Sequence, residues 1–236
     1  PVYPGSLAMA WRLDGDEWQA VLPAGEPLFL RHPDRGYWFE RVGQSDIVYL
    51  TIRRNLDDDS GESIRAFSER AAAELRAISP RAIIVDQRFN GGGDLTLTFD
   101  LMDQLGDIVG PEGRVYLLAN ANTFSAAIVN LAAAKAGAPQ RTVIVGSQIG
   151  DRLQFWAEGW AYTLPNSGFY ARYSTGFYDL QNGCSGIFRC HWGSRHIFPI
   201  LVDDLDVDIP APLDFEAYVA GRDPAVEAVL AAEAVR

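Results

Sequence analysis

Residues 82–93 constrain the fold of this chain more than any other stretch. Residues 82–89 form a near-continuous apolar run bounded by turn signals, and the run leads directly into Asn90-Gly91-Gly92-Gly93. A run of this kind, without polar alternation, suits a strand covered on both faces, the usual state of a strand in a parallel sheet flanked by helices. Its surroundings agree, because strand-like and helix-like segments alternate from residue 47 to residue 146, which is an α/β pattern.

Residues 47–52 read as a strand, followed by a turn at Asp57-Asp58-Asp59-Ser60-Gly61 and a helix that Ser63 can cap. In that helix Ile64, Phe67, Ala71, Leu75 and Ile78 recur at helical spacing, and Pro80 stops it. A second helix is expected over 95–105, a strand over 114–119, a helix from Ser125 to near Gly137 and Pro139, and a buried strand over 142–145. Beyond that, residues 155–173 are aromatic-rich and read as a late β-hairpin turning at Pro165-Asn166-Ser167-Gly168. Residues 176–196 read as loop, and two short helices close the chain at 214–219 and 224–234. The first 36 residues are turn-rich, with candidate strands such as 18–22, and are expected to form an N-terminal β arm or edge hairpin on a main domain of residues 37–236. No linker separates two independent domains.

The net charge of −11 argues against nucleic acid as a partner, which would call for clustered Lys and Arg. An apolar fraction of 48% describes an ordinary globular protein, and no apolar run approaches the roughly 20 residues that span a bilayer. The chain opens with Pro1 and not Met, as expected if an upstream segment has been removed. Cys184 and Cys190 lie close together in a Gly- and Asn-rich stretch. They read either as a disulfide, which would point to a periplasmic or secreted location, or as two free thiols, which leaves the cytoplasm open. Even with His191 adjacent they make a poor zinc site, which wants four ligands.

Two segments look like half an active site. A tight turn explains one or two glycines after a strand; three in succession also clear side chains from the strand's carboxyl end, where ligands of open α/β sheets sit. The run is not G-x-G-x-x-G and no G-K-[ST] follows, so nucleotide readings are poor. Asp86 and Arg88 read as a structural charge pair beneath the loop. The second segment is Thr123-Phe124-Ser125-Ala126-Ala127, which follows a strand and opens a helix of small residues. Either Thr123 or Ser125 could be a helix cap. Alternatively, Ser125 is a nucleophile raised on a sharp turn, with glycine-loop amides aimed at an oxyanion. The G-x-S-x-G elbow of α/β-hydrolases is absent.

These motifs resemble those of the C-terminal-processing, or tail-specific, serine peptidases and their tricorn-core relatives. Such proteins carry an aspartate-x-arginine-x-asparagine-glycine-rich strand end and a Thr-x-Ser-Ala nucleophile turn. Val145-Gly146-Ser147-Gln148-Ile149-Gly150 resembles the family's Gly-Glu-x-Thr-x-Gly turn, Leu164-Pro165-Asn166-Ser167-Gly168 its late hairpin, and Gly221-Arg222-Asp223-Pro224 its closing helix. The resemblance spans roughly residues 37–232, in the family's order. It implies a ClpP/crotonase-like spiral of ββα units, with Ser125 as nucleophile and the Ala126 N–H plus that of Gly91 or Gly92 as oxyanion donors. No metal or cofactor is implied.

The base is where the chain departs from the family. Bacterial processing peptidases place a lysine just after the glycine-bounded turn; here Gly150 is followed by Asp151 and Arg152. Lys135, the one lysine of the chain, stands ten residues beyond Ser125 on the expected helix, about 15 Å along its axis and on another face, which excludes a Ser–Lys dyad. Asp151 and Glu158 are the acids near the expected base position, and His32, His191 and His196 are the histidines. The stretch from Gly150 to Gly159 reads either as substrate-facing or as a surface ion pair of Asp151 and Arg152 with Phe155 and Trp156 in the core. An aspartate near its ordinary pKa is a poor base for a serine hydroxyl unless it is buried or partnered by a histidine.

The expectation is a serine hydrolase of the tail-specific peptidase type, acting on a peptide, a protein or a small acyl compound through an acyl-enzyme on Ser125. The 36 residues before Tyr37 are too short for the PDZ domain of the usual family members, so substrate selection would differ, or a partner or a missing segment would supply it. The alternative is a non-catalytic ligand- or peptide-binding protein on the same fold, motivated by the missing lysine and by Phe155, Trp156, Trp160 and Tyr162. A crotonase-type acyl-CoA enzyme is a third option, without any recognisable adenine or phosphate site. Oligomeric state is not legible.

Overall fold

The structure, a computed structural model, describes residues 26–184, 190–191 and 200–236. The candidate strand at 18–22 and His196 lie outside the described residues. The framework is a six-stranded sheet of β1 (Tyr37–Arg41), β2 (Ile47–Ile52), β3 (Ala82–Asp86), β4 (Arg114–Ala119), β5 (Thr142–Gly146) and β10 (Ile209–Pro210), in that spatial order. β1 pairs antiparallel with β2, and every other neighbouring pair is parallel.

The register explains the unbroken apolar run. Leu50, Val85, Leu117 and Ile144 are aligned across four strands, and all four join the larger core cluster. Their chain neighbours Tyr49, Ile84, Tyr116 and Val145 belong to a second cluster with Ala225, Val226 and Val229. Successive side chains point to opposite faces, so a sheet packed on both sides needs apolar residues at both parities. The first face is covered by α1 (Ile64–Ile78), α2 (Phe99–Asp103), α3 (Leu105–Val109) and α4 (Ala126–Gly137). The second receives α6 (Pro224–Ala234), which follows the short α5 (Phe215–Val219). Ser63 caps α1 by accepting from the Ala66 N–H at 3.2 Å.

Three expectations are revised. The helix expected over 95–105 is broken into a 3-10 turn at Leu95–Leu97, α2 and α3. The first break coincides with Thr98, whose buried hydroxyl is drawn into hydrogen bonds with Asn55 and Asn130. Residues 176–179, expected as loop, form β9 (Gly176–Asp179), which pairs antiparallel with β6 (Gln154–Ala157). The expected hairpin is correspondingly shorter, consisting of β7 (Trp160–Thr163) and β8 (Tyr170–Tyr173) alone. Phe155 is in the core, stacked on Tyr178 at 4.9 Å, whereas Trp156, Trp160, Tyr162, Phe169 and Tyr170 are exposed.

Candidate active site

The carboxyl ends of β3 and β4 meet at Ser125. Neither capping reading describes it: the Ser125 side chain makes no capping bond to α4, and Thr123 Oγ1 instead donates to the Gln87 carbonyl at 2.9 Å. Ser125 holds φ 55 and ψ −122, a left-handed conformation that costs a residue with a Cβ about 1–3 kcal/mol. Its Oγ has no hydrogen-bond partner among the described residues. The next residue, Ala126, is buried at the head of α4, and its N–H has no partner among the described residues either. An unpaired first-turn N–H at the positive end of a helix favours a developing negative charge.

The glycine loop lies directly against this turn. Gly92 has φ +107, and a Cβ there would stand 2.6 Å from Ser125 Cβ, 3.0 Å from Ser125 Oγ and 3.2 Å from the Ala126 nitrogen. Only glycine leaves that space open. Of the two loop amides expected as oxyanion donors, the Gly92 N–H is already committed to Asn90 Oδ1 at 2.9 Å. The Gly91 N–H has no protein partner among the described residues, and Gly91 is exposed. Gly91, not Gly92, is therefore the loop amide open to a ligand in this conformation.

An uncharged side-chain network beneath the loop holds it in place. Asn90 Nδ2 donates to Asn55 Oδ1 at 2.8 Å and to Gln87 Oε1 at 2.9 Å. Asn130, one turn into α4, donates to the same two oxygens at 3.3 and 3.1 Å. Asn130 Oδ1 in turn accepts from the Thr98 hydroxyl at 2.7 Å, and Asn55 Nδ2 donates to Thr98 Oγ1 at 2.6 Å. Each of these side chains is buried. The two strand ends are also tied directly, by the Phe124 N–H to the Asn90 carbonyl at 3.1 Å.

Deeper still, Asp86 and Arg88 are a buried structural pair. Arg88 Nη2 lies 2.6 Å from Asp86 Oδ2, and the Arg88 guanidinium donates to both oxygens of Asp223 at 2.8 and 2.7 Å. Burial alone would push the Asp86 carboxyl up; the Arg88 charge and hydrogen bonds from Arg88 and Tyr49 outweigh it and leave the group below its ordinary value. Asp223 also caps α6 through the Ala225 and Val226 N–H groups, so one cluster joins the glycine strand to the closing helix.

None of the base candidates among the described residues is hydrogen-bonded to Ser125. Asp151 accepts from the Arg152 N–H at 2.8 Å. Glu158 accepts from the Tyr178 hydroxyl at 2.8 Å, and His32 Nε2 faces Glu40 at 3.6 Å. Lys135 is paired with Asp204 at 2.7 Å toward the far end of α4. His191 lies 3.0 Å from the Tyr178 hydroxyl through Nδ1. Tyr178 was missed at the sequence level, since its position on β9 was read as loop. Cys184 and Cys190 are joined as a disulfide with Cα atoms 5.8 Å apart. No group of three or more metal-ligating side chains occurs among the described residues, and no described helix is long and apolar enough to cross a membrane.

No family model matches the sequence, and no curated protein matches it. Solved structures do match. A candidate peptidase from Parabacteroides merdae aligns with a TM-score of 0.54 at 16% identity, covering 83% of this chain and 64% of that one. A candidate S41 protease from Bacteroides fragilis aligns with a TM-score of 0.50 at 11% identity, covering 85% of this chain and 57% of that one. At these identities the likeness is one of fold, and the chain spans less than two thirds of the length of the structures it matches.

Proposed function

We propose that the protein is a serine hydrolase of the peptidase type, with Ser125 as nucleophile. The observation that carries the reading is the coincidence, at one point, of a backbone-strained serine that caps nothing and an unpaired helix N–H on the next residue. A purely structural turn has no use for either. Attack of Ser125 Oγ on a carbonyl would develop an oxyanion that the unpaired Ala126 N–H, and the Gly91 N–H of the adjoining loop, would stabilise as fixed dipoles, an effect worth most when water is excluded. Leu56 and Phe124 are exposed apolar side chains, one against the glycine loop and one beside the nucleophile, and they suit an apolar side chain of a peptide substrate. The fold shared with candidate peptidases supports the same substrate class, and the spiral arrangement of the tail-specific family is part of this reading. The disulfide supports a periplasmic or secreted location.

Hydrolysis of an unstructured polypeptide is the test. Wild-type protein should cleave it, and Ser125→Ala should reduce cleavage to background while leaving the circular dichroism spectrum unchanged. Equal cleavage by the variant would remove Ser125 from the reaction. One observation favours the second reading, a binding protein on the same fold: the exposed aromatic ribbon of β7 and β8 presents Trp160, Tyr162 and Tyr170 to solvent. Peptide binding without turnover by the wild type would establish it.

A further inference from the structure

Residues 154–179 make one continuous β ribbon with a buried root and a bare tip. Ala157 stands opposite Gly176 and Trp160 opposite Tyr173, so the β6–β9 and β7–β8 pairs keep a single register across the kink between them. The kink falls at Glu158 and Gly159, with φ values of +57 and +100. The root is fixed: Phe155 and Tyr178 stack within the larger core cluster, and Phe177 forms a β-bridge with Cys190 of the disulfide. Beyond the kink every residue from Trp160 to Tyr170 is exposed. A two-stranded ribbon without a packed face is marginal in water, so a tip of this kind calls for a cover.

The tip is apolar on more than one side. Trp160, Tyr162 and Tyr173 share a face, with the Tyr162 and Tyr173 ring centroids 6.4 Å apart. Tyr170 has the opposite parity, and Phe169 closes the turn by accepting from the Leu164 N–H at 2.8 Å. Trp160 is 72% exposed, Phe169 73% and Tyr170 81%. At about 150–250 Å² per aromatic side chain, the five rings leave roughly 500–800 Å² in water, at or above the about 300–600 Å² of the largest patch on an ordinary monomer.

Geometry and charge narrow what can cover it. A folded partner covers one face of a ribbon; a second copy stacked on the Trp160 face would leave Tyr170 in water. The interfacial layer of a bilayer is fluid and surrounds both faces. Its chemistry fits, because Trp and Tyr rings, apolar with a polar edge, concentrate at membrane–water interfaces. The dimension fits as well. From the Trp160–Tyr173 pair to the Thr163–Tyr170 pair the ribbon rises about 10 Å, and interfacial segments sink about 5–10 Å. The chain carries 31 acidic residues, yet none falls between Gly159 and Tyr178, where Arg172 is the one charge. Arg172 is exposed and has no hydrogen-bond or ion-pair partner among the described residues, which leaves its guanidinium open to a phosphate. Glu158, the first acid below the tip, is turned back onto the Tyr178 hydroxyl at 2.8 Å.

We propose that the β7–β8 tip docks the protein on a phospholipid bilayer, with its aromatic rings in the interfacial layer and Arg172 against a lipid phosphate. The contact is peripheral, and it is independent of any chemistry at Ser125. With a net charge of −11 on the chain, the surface it suits is zwitterionic and not strongly anionic.

Flotation of the full chain with phosphatidylcholine vesicles tests the proposal, with light scattering after size exclusion giving the mass of the same samples. Wild type should rise with the vesicles. Trp160→Ser/Tyr170→Ser, shown to be folded by circular dichroism, should bind at least about tenfold more weakly, because both rings lose their transfer out of water. Arg172→Glu should also weaken binding, by setting a like charge against the lipid phosphates. A wild type that stays below the vesicles, or a double variant that rises as well as wild type, overturns the proposal. A wild-type dimer that the same substitutions split, without flotation, overturns it too and assigns the ribbon to a contact between copies.

Discussion

Ser125 combines a conformation that suits glycine with a side chain that contributes no local hydrogen bond. Strain kept without a structural return points to function. Ser125→Gly should therefore raise stability in urea unfolding by about 1 kcal/mol, the relief of strain exceeding the added chain entropy, while abolishing activity. A Ser125→Gly protein less stable than wild type would show that the turn is not strained. At this scale the sequence located the serine and the glycines, because a nucleophile turn and a bare strand end have local signatures. It left Gly91 and Gly92 equivalent. The distinction depends on where the Asn90 side chain turns, and that is decided by its partners Asn55 and Gln87.

At the scale of elements, the active-site geometry is held by amides, not by charges. Asn55 and Asn130 are 75 residues apart, yet with Thr98 and the Gln87 side-chain oxygen they form one hydrogen-bonded group around the glycine loop, in which Gln87 Nε2 is left without a partner among the described residues. Asn130→Leu would leave the Thr98 hydroxyl without its acceptor in a buried setting and remove one of the two donors that Asn55 Oδ1 and Gln87 Oε1 each accept from, Asn90 Nδ2 remaining. At about 1–3 kcal/mol for that one abandoned group, the variant should lose about 2 kcal/mol in denaturant unfolding. A loss below about 1 kcal/mol would mean the network does not hold the loop. Such a network is invisible in sequence, since no periodicity links its members. The parallel strands were legible because two covered faces impose apolar residues at both parities. β9 was not, since four residues give too short a pattern, and its partners on β6 lie 19 to 25 residues upstream.

For the whole molecule, the Asp86–Arg88–Asp223 cluster joins the first half of the sheet to the closing helix. The pairing of Asp86 with Arg88 was legible from two-residue spacing; the third member, 135 residues away, was not. Because the Asp86 carboxyl lies below its ordinary value in the folded protein, its contribution is present above the unfolded value of about 3.9 and is lost as pH falls through the folded one. Stability should drop below about pH 4, and Asp86→Asn should flatten that slope by up to about 1.4 kcal/mol per pH unit, measured by urea unfolding at successive pH values. Identical slopes in the two proteins would contradict the assignment.

The same assembly places one serine, one helix amide and one bare strand end together, and the most direct question is whether that serine reacts. Treatment of the folded protein with a fluorophosphonate, followed by digestion and mass spectrometry, should place a single adduct on Ser125, with none in Ser125→Ala. A folded wild-type protein that takes up no reagent, or takes it up at another residue, would contradict the role of Ser125 as nucleophile.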